Sequence, residues 1–139
     1  MKKINVAVAG LGRIGKIHLK NLCRNFPEIN VVAAMDVLDE AKTITGEFNV
    51  PVFVTDFDEL LAVPNLDAVV ICSPTDTHAG YVVKAAKAGK QIFCEKPLDL
   101  SLDRVKEVLN IVKECGVKLM LGFNRRFDPE FKKIRQLVE

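Results

Sequence analysis

The chain has 139 residues, 49% of them hydrophobic, with 20 basic and 18 acidic side chains and a net charge of +2. That length and apolar content suffice for one domain with a proper core, argue against disorder, and leave no charge excess of the kind that nucleic acid or an anionic membrane requires. Cys23, Cys72, Cys94 and Cys115 form no C-x-x-C pair and mostly border apolar runs, so they read as reduced core residues. Met1-Lys2-Lys3 precedes a run too short for a signal peptide, and no run reaches membrane-spanning length; the expected location is the cytoplasm.

In chain order, Ile4, Val6 and Val8 lead an apolar run into Gly10-Leu11-Gly12-Arg13-Ile14-Gly15, and a helical pattern follows with Gly15, Leu19, Leu22, Cys23 and Phe26 on one face. A second run, residues 29–35, ends in Asp36. Ala41, Ile44 and Phe48 then fall at helical spacing, Pro51 precedes a brief strand at 52–54, and residues 56–61 read as one or two helical turns before the breaker Pro64-Asn65. Residues 68–72 are continuously apolar, as in strands buried on both faces. The hydroxyl-rich stretch 73–78 suits a helix start; that helix carries Val82, Val83, Ala85 and Ala86 and stops at Gly89. A strand at 91–94 ends in Glu95-Lys96-Pro97. Ser101 is the expected N-cap of a helix whose stripe is Leu102, Val105, Val108, Leu109 and Val112, closed by Gly116. A sixth strand at 117–121 leads through residues 122–129 to a last helix with Phe131, Ile134 and Leu137 on a face.

A strand, a glycine turn and a helix are what a dinucleotide pyrophosphate site needs: one glycine for a tight turn, one where phosphate meets bare backbone, one where the helix packs on its strand. Alone, G-x-G-x-x-G is weak among eight glycines, and the alternative is a plain glycine turn with a solvated Asp36. The context strengthens it, because Asp36 stands twenty-one positions after Gly15, where an acid meets the adenosine ribose hydroxyls. Strands alternating with helices predict an α/β fold, a doubly wound parallel sheet of six strands of Rossmann type in the order 3-2-1-4-5-6 with right-handed crossovers. Ligands then sit beyond the carboxyl ends of the strands, and every unusual segment of this sequence follows a strand directly.

Taken together, Gly10-Leu11-Gly12-Arg13-Ile14-Gly15 with His18, Ser73-Pro74-Thr75 through His78, Glu95-Lys96-Pro97, and Gly122-Phe123-Asn124-Arg125-Arg126-Phe127 resemble the N-terminal domain of the Gfo/Idh/MocA oxidoreductases, most closely the inositol 2-dehydrogenase branch. The resemblance spans essentially the whole chain, and Glu-Lys-Pro after the fifth strand is its most specific part. It implies NAD as cofactor, a cyclitol or sugar with a secondary alcohol as substrate, and a second α/β domain that supplies an Asp-x-x-x-His pair and through which the whole enzyme forms a homo-oligomer. This sequence carries no such pair. Residues 1–124 are therefore expected to form the dinucleotide-binding domain and residues 125–139 the linker and helix toward a substrate domain, the chain being the cofactor half of an enzyme as an engineered domain or a truncated product. The other functional class is a non-catalytic dinucleotide-sensing or scaffolding domain.

The resemblance assigns Lys96 to catalysis and to substrate binding; by itself the residue reads as one surface lysine among many. Flanked by Glu95 and Pro97 at a strand end, it suits a cation beside the reacting hydroxyl, with Pro97 aiming it through a cis bond. The expected cofactor-binding residues are Gly10, Gly12, Arg13, Ile14, Gly15, Asp36, Ser73, Pro74, Thr75, His78 and Glu95. Arg125 and Arg126 either contact substrate or form a solvated helix entry. His18 and His78 lie in the first turns of helices near the ligand edge, where a histidine is commonly a satisfied polar residue; His78, beside Thr75 and Thr77, is the better candidate for the nicotinamide ribose side. No spacing of histidines, cysteines and acids fits a metal site.

Overall fold

In the computed structural model, which describes residues 3–139, the apolar runs become six strands: β1 (Ile4–Ala9), β2 (Ile29–Met35), β3 (Val52–Val54), β4 (Ala68–Ile71), β5 (Gln91–Cys94) and β6 (Leu119–Leu121). Met1 and Lys2, weighed above as part of a leader, lie outside the described residues. The strands form one sheet in the order β3-β2-β1-β4-β5-β6 with every pair parallel, the doubly wound arrangement expected from the alternation of strand and helix. Because both faces of such a sheet are covered, its central strands read as unbroken apolar runs. Along β1, Val6 and Val8 enter one core while Ala7 and Ala9 enter the other; along β4, Val70 opposes Val69 and Ile71 in the same way.

Six helices follow in order: α1 (Arg13–Asn25), α2 (Lys42–Glu47, continuing a 3-10 turn Asp39–Ala41), α3 (Phe57–Leu61), α4 (Thr75–Lys87), α5 (Leu102–Cys115) and α6 (Pro129–Val138). Leu19 of α1 packs with Val6, Val8 and Val31 on one face, while Leu60, Val82, Ala85 and Val108 pack with Ala7, Val69 and Ile71 on the other. Leu19 is wholly buried, and at about 1.5–3 kcal/mol for a fully buried aliphatic side chain it is a main anchor of α1, and so of the glycine turn, against the sheet. Ser101 caps α5 by accepting the Arg104 N–H at 3.4 Å.

Several expectations about side chains need correction. Cys23 and Cys115 are exposed, and only Cys94 is fully buried, so the cysteines are not uniformly core residues. Cys23 stands about 80° around α1 from Gly15 at roughly 100° per residue, and Phe26, 44% exposed, lies past the end of the helix. The stripe of α5 narrows to Val105, Val108 and Val112, since Leu102 in the first turn and Leu109 lie to its side and are exposed. The sixth strand is shorter than expected. At the start of α4 the hydroxyls do not cap: Pro74 occupies the N-cap, and Thr77 Oγ1 donates back to the Pro74 carbonyl at 2.7 Å. Phe131, Ile134 and Leu137 do share a face of α6, and that face is exposed.

Candidate functional site

The loop from β1 to α1 shows three glycines in three situations. Gly10 has φ +89°, and a Cβ there would lie 2.6–2.7 Å from the backbone of Cys72 and Ser73, so the loops after β1 and β4 can touch only at a glycine. A Cβ on Gly15 would fall onto the carbonyl oxygen of Gly10, which is how α1 sits so close to its strand. At Gly12, the N-cap of α1, nothing lies within 4 Å of a Cβ position and no side chain caps the helix. The first-turn N–H groups, with the exposed Arg13 and Ile14, thus have no side-chain acceptor at the positive end of the helix dipole. An uncapped helix start over a bare glycine fits a pyrophosphate, which would supply the missing acceptors.

Asp36 stands at the end of β2. Its Oδ2 accepts the Leu11 N–H at 2.7 Å and its Oδ1 accepts the Leu38 N–H at 3.0 Å, so the carboxylate shapes the glycine turn as well as facing a ligand. A carboxylate offers about four acceptor positions, leaving lone pairs for two ribose hydroxyls. Asp36, Gly10, Val37, Ser73, Pro74 and Thr77 line a cleft of about 240 Å³. Ser73 Oγ and Thr77 Oγ1 are 2.6 Å apart across its far wall. Thr75 turns away from this cleft and sits with Asp76, Asp99 and Leu100 beside another depression.

Lys96 follows β5 in a turn whose Lys96–Pro97 peptide is cis. Its side chain is exposed and lines a second cleft, about 290 Å³, with Phe123, Asn124, Arg125 and Arg126. The fold thus brings together the three residues expected at the substrate. Arg125 is also bound to Asp128 at 3.2 Å and lies 5.0 Å from the centre of the Phe131 ring, while Arg126 lies over Phe123.

Besides Thr75, two more expected cofactor contacts stand elsewhere. His78 is 2% exposed and lines neither cleft; its Nδ1 is 2.7 Å from the Pro97 carbonyl oxygen and its Nε2 2.8 Å from that of Ser73, so it braces loops from behind. Glu95 turns its Oε1 to His18 Nε2 at 2.7 Å. Neither the His18–Glu95 pair nor the Asp36–Leu11 link has a signal in residue spacing. Beneath this edge, burial and the Glu95 carboxylate push the Cys72 thiol up to about 12, which removes it as a nucleophile at neutral pH. Burial pushes the Cys94 thiol equally far, to about 12.

A parallel sheet with a glycine turn, an uncapped helix and an acid at the end of the second strand defines a nicotinamide-dinucleotide-binding domain of Rossmann type. The sequence matches the Gfo/Idh/MocA oxidoreductase family, NAD-binding Rossmann fold, over residues 4–123, and the chain belongs to that family. It is 44% identical over 139 residues to an uncharacterized oxidoreductase of Bacillus subtilis, covering 99% of this chain and 40% of that protein. It is 44% identical over 137 residues to an inositol 2-dehydrogenase of Rhizobium meliloti, covering 98% of this chain and 41% of that protein. Among solved structures it is similar to scyllo-inositol dehydrogenase from Lactobacillus casei with bound NAD(H) and scyllo-inositol, at 34% identity and TM-score 0.91, over 99% of this chain and 41% of that one. The chain thus spans about 40% of the length of the curated relatives it matches.

Proposed function

We propose that this chain is the cofactor-binding half of an NAD-dependent dehydrogenase that takes a hydride from a secondary alcohol of a cyclitol or related sugar, with myo-inositol the first substrate to try. The observation that carries the reading is the placement of Lys96: an exposed amine in a cleft with Arg125 and Arg126, on the same sheet edge as the glycine turn. NAD, when bound, supplies the hydride acceptor. The chain's own residues bind and orient. The free N–H groups of α1 at Gly12 receive the pyrophosphate, the remaining lone pairs of Asp36 receive the adenosine ribose hydroxyls, and Ser73, Pro74 and Thr77 shape the wall toward the nicotinamide. Lys96 Nζ donates to the reacting oxygen and stabilises the negative charge that grows as the hydroxyl proton passes to a base, the place left for the Asp-x-x-x-His pair of the substrate domain; a positioned donor of this kind is worth about 10²–10⁴ in rate. Arg125 and Arg126 take neighbouring hydroxyls. A cytoplasmic setting suits four free thiols.

The test is reduced-cofactor formation by the longer protein that carries this domain, with NAD and a panel of inositols and sugars. Formation of NADH dependent on a cyclitol supports the reading. Tight NAD binding with no turnover on any polyol would instead assign the domain to dinucleotide sensing or scaffolding.

A further inference from the structure

Lys96 enters no ion pair among the described residues. Its aim therefore depends on the turn that carries it, and both neighbours in that turn are held by a histidine. On one side, the Glu95 carboxylate meets His18 Nε2 at 2.7 Å, and the His18 ring is itself set against Phe93 of β5 with ring centres 5.1 Å apart. The same carboxylate lies 3.0–3.2 Å from where a Cβ on Gly122 would stand, so it is confined between α1 and the loop after β6. On the other side, the Pro97 carbonyl oxygen is 2.7 Å from His78 Nδ1, and the far nitrogen of that ring is 2.8 Å from the Ser73 carbonyl oxygen. A carbonyl oxygen only accepts and a neutral imidazole has a single N–H to give, so the ring donates to one of these carbonyls and, with its other nitrogen as close to the second, sits between the two loops. The two histidines belong to α1 and α4, the helices that start on either side of the cofactor cleft, and they are the only two histidines in the sequence.

We propose that His18 and His78 are positioning residues for Lys96: through Glu95 and Pro97 they reference the lysine to the same two helices that frame the cofactor. The proposal rests on the reading of Lys96 given above. His18 is the cleaner half. It and Glu95 keep side-chain exposures of 28% and 22%, and partly solvated pairs of that kind contribute little to stability. A purely structural account therefore predicts almost no effect of removing His18, whereas misplacing a reacting group by an ångström can cost about a hundredfold in rate.

The experiment compares His18→Phe with His18→Gln, whose amide can donate where Nε2 does. In the longer protein, His18→Phe is expected to lower kcat by about tenfold or more while KM for NAD stays within about twofold, and His18→Gln is expected to recover most of the loss. Unchanged kcat in His18→Phe overturns the proposal, as does a loss that follows the melting temperature and NAD affinity or that Gln does not relieve. For His78 the Phe variant removes the ring nitrogens that meet the Pro97 and Ser73 carbonyls and can fail to fold. His78→Asn, which places a donor near Nδ1 for Pro97, therefore decides: a kcat nearer wild type than any soluble His78 variant lacking that donor supports the proposal, and equal losses overturn its His78 half. A second readout needs no substrate. In this chain, NMR relaxation of the Lys96 side chain should report greater motion in His18→Phe than in wild type, and equal motion overturns the proposal. A wild-type protein inactive on every polyol, with Lys96 still loosened by His18→Phe, removes the dehydrogenase reading and leaves the positioning role standing.

Discussion

Asp36 holds two backbone N–H groups before any ligand arrives, one of them from the glycine turn itself. Its charge should select NAD over NADP: a 2′-phosphate would meet a carboxylate, at several kcal/mol for such a like-charge contact, and Val37 and Leu38 offer no cation to offset it. Titration calorimetry with both cofactors should give much tighter binding of NAD, and equal or tighter NADP binding would refute the assignment. Asp36→Ala should weaken NAD by about 1.5–3 kcal/mol, the range for hydrogen bonds to a charged group, and narrow the gap between cofactors. Because Leu11 also loses its acceptor, the variant should loosen residues 10–12, visible as faster amide exchange there. Lys96 behaves oppositely. It is exposed and enters no ion pair among the described residues, so Lys96→Met should leave melting temperature and NAD affinity nearly unchanged while lowering turnover of the longer protein by about a hundredfold or more. Normal turnover would return Lys96 to being an ordinary surface lysine.

The β1–α1 unit separates packing from binding among its glycines. Gly12 has φ −64° and ψ −169°, ordinary extended backbone, with nothing near a Cβ. Gly12→Ala should therefore fold with an unchanged melting temperature yet bind NAD at least tenfold more weakly, since its methyl would stand where the pyrophosphate meets backbone, at a cost of about 1.4 kcal/mol or more. Gly15→Ala should instead destabilise the fold, because its Cβ collides with the Gly10 carbonyl and neither backbone can yield cheaply. The same destabilisation in both variants, by thermal denaturation, would refute the distinction. At the other end, α6 depends on Asp128, whose Oδ1 accepts the N–H groups of Glu130 and Phe131. Those N–H groups, Phe131 foremost, and the Arg125 guanidinium hold its carboxyl below the usual carboxylate value. A depressed value means the cap is fully effective above the unfolded pKa of about 3.9 and is lost as pH falls through the lower folded value. Amide protection at Glu130 and Phe131 should fall in that acid range while α1 and α4 persist, and Asp128→Asn should abolish the dependence without abolishing the cap.

At the scale of the whole molecule, both clefts lie along one edge of the sheet, but they are closed to different degrees. The Asp36 cleft is walled by two loops that touch at Gly10, whereas the Lys96 cleft is bordered by exposed Phe123, Arg125 and Arg126. This chain should accordingly bind NAD by itself, since the glycine turn, the free start of α1 and Asp36 all belong to one folded unit. It should not oxidise myo-inositol, because holding substrate at reacting distance and excluding water can account for roughly 7–11 kcal/mol of a barrier, and an open cleft does neither. NAD binding without inositol-dependent NADH is the expected result across a pH series. NADH formation well above the blank, from protein free of host dehydrogenase, would show that the pocket is complete in these 139 residues.

The order of the sheet, the strand and helix boundaries to within a few residues, and the gathering of Gly10, Asp36, Ser73, Lys96 and Arg125 on one edge were all determined by the sequence alone. The reason is physical: a parallel sheet covered on both faces requires unbroken apolar runs separated by helical periods, and both are local patterns that the chain cannot hide. The glycine turn was legible for a similar reason, as its demands on φ and on space fall on single residues. What the tertiary structure decided is which polar atoms meet. Asp36 reaches Leu11 across 25 positions, His78 reaches Pro97 across 19, and His18 reaches Glu95 across 77. No periodicity encodes such pairs. Helix position likewise left Cys23 and Leu109 at the margin of their stripes, where only the neighbouring element determines whether a side chain is covered. A histidine near a ligand edge reads the same whether it touches a cofactor or braces the loop that does; the packing of α1 and α4 against the turn after β5 makes that distinction.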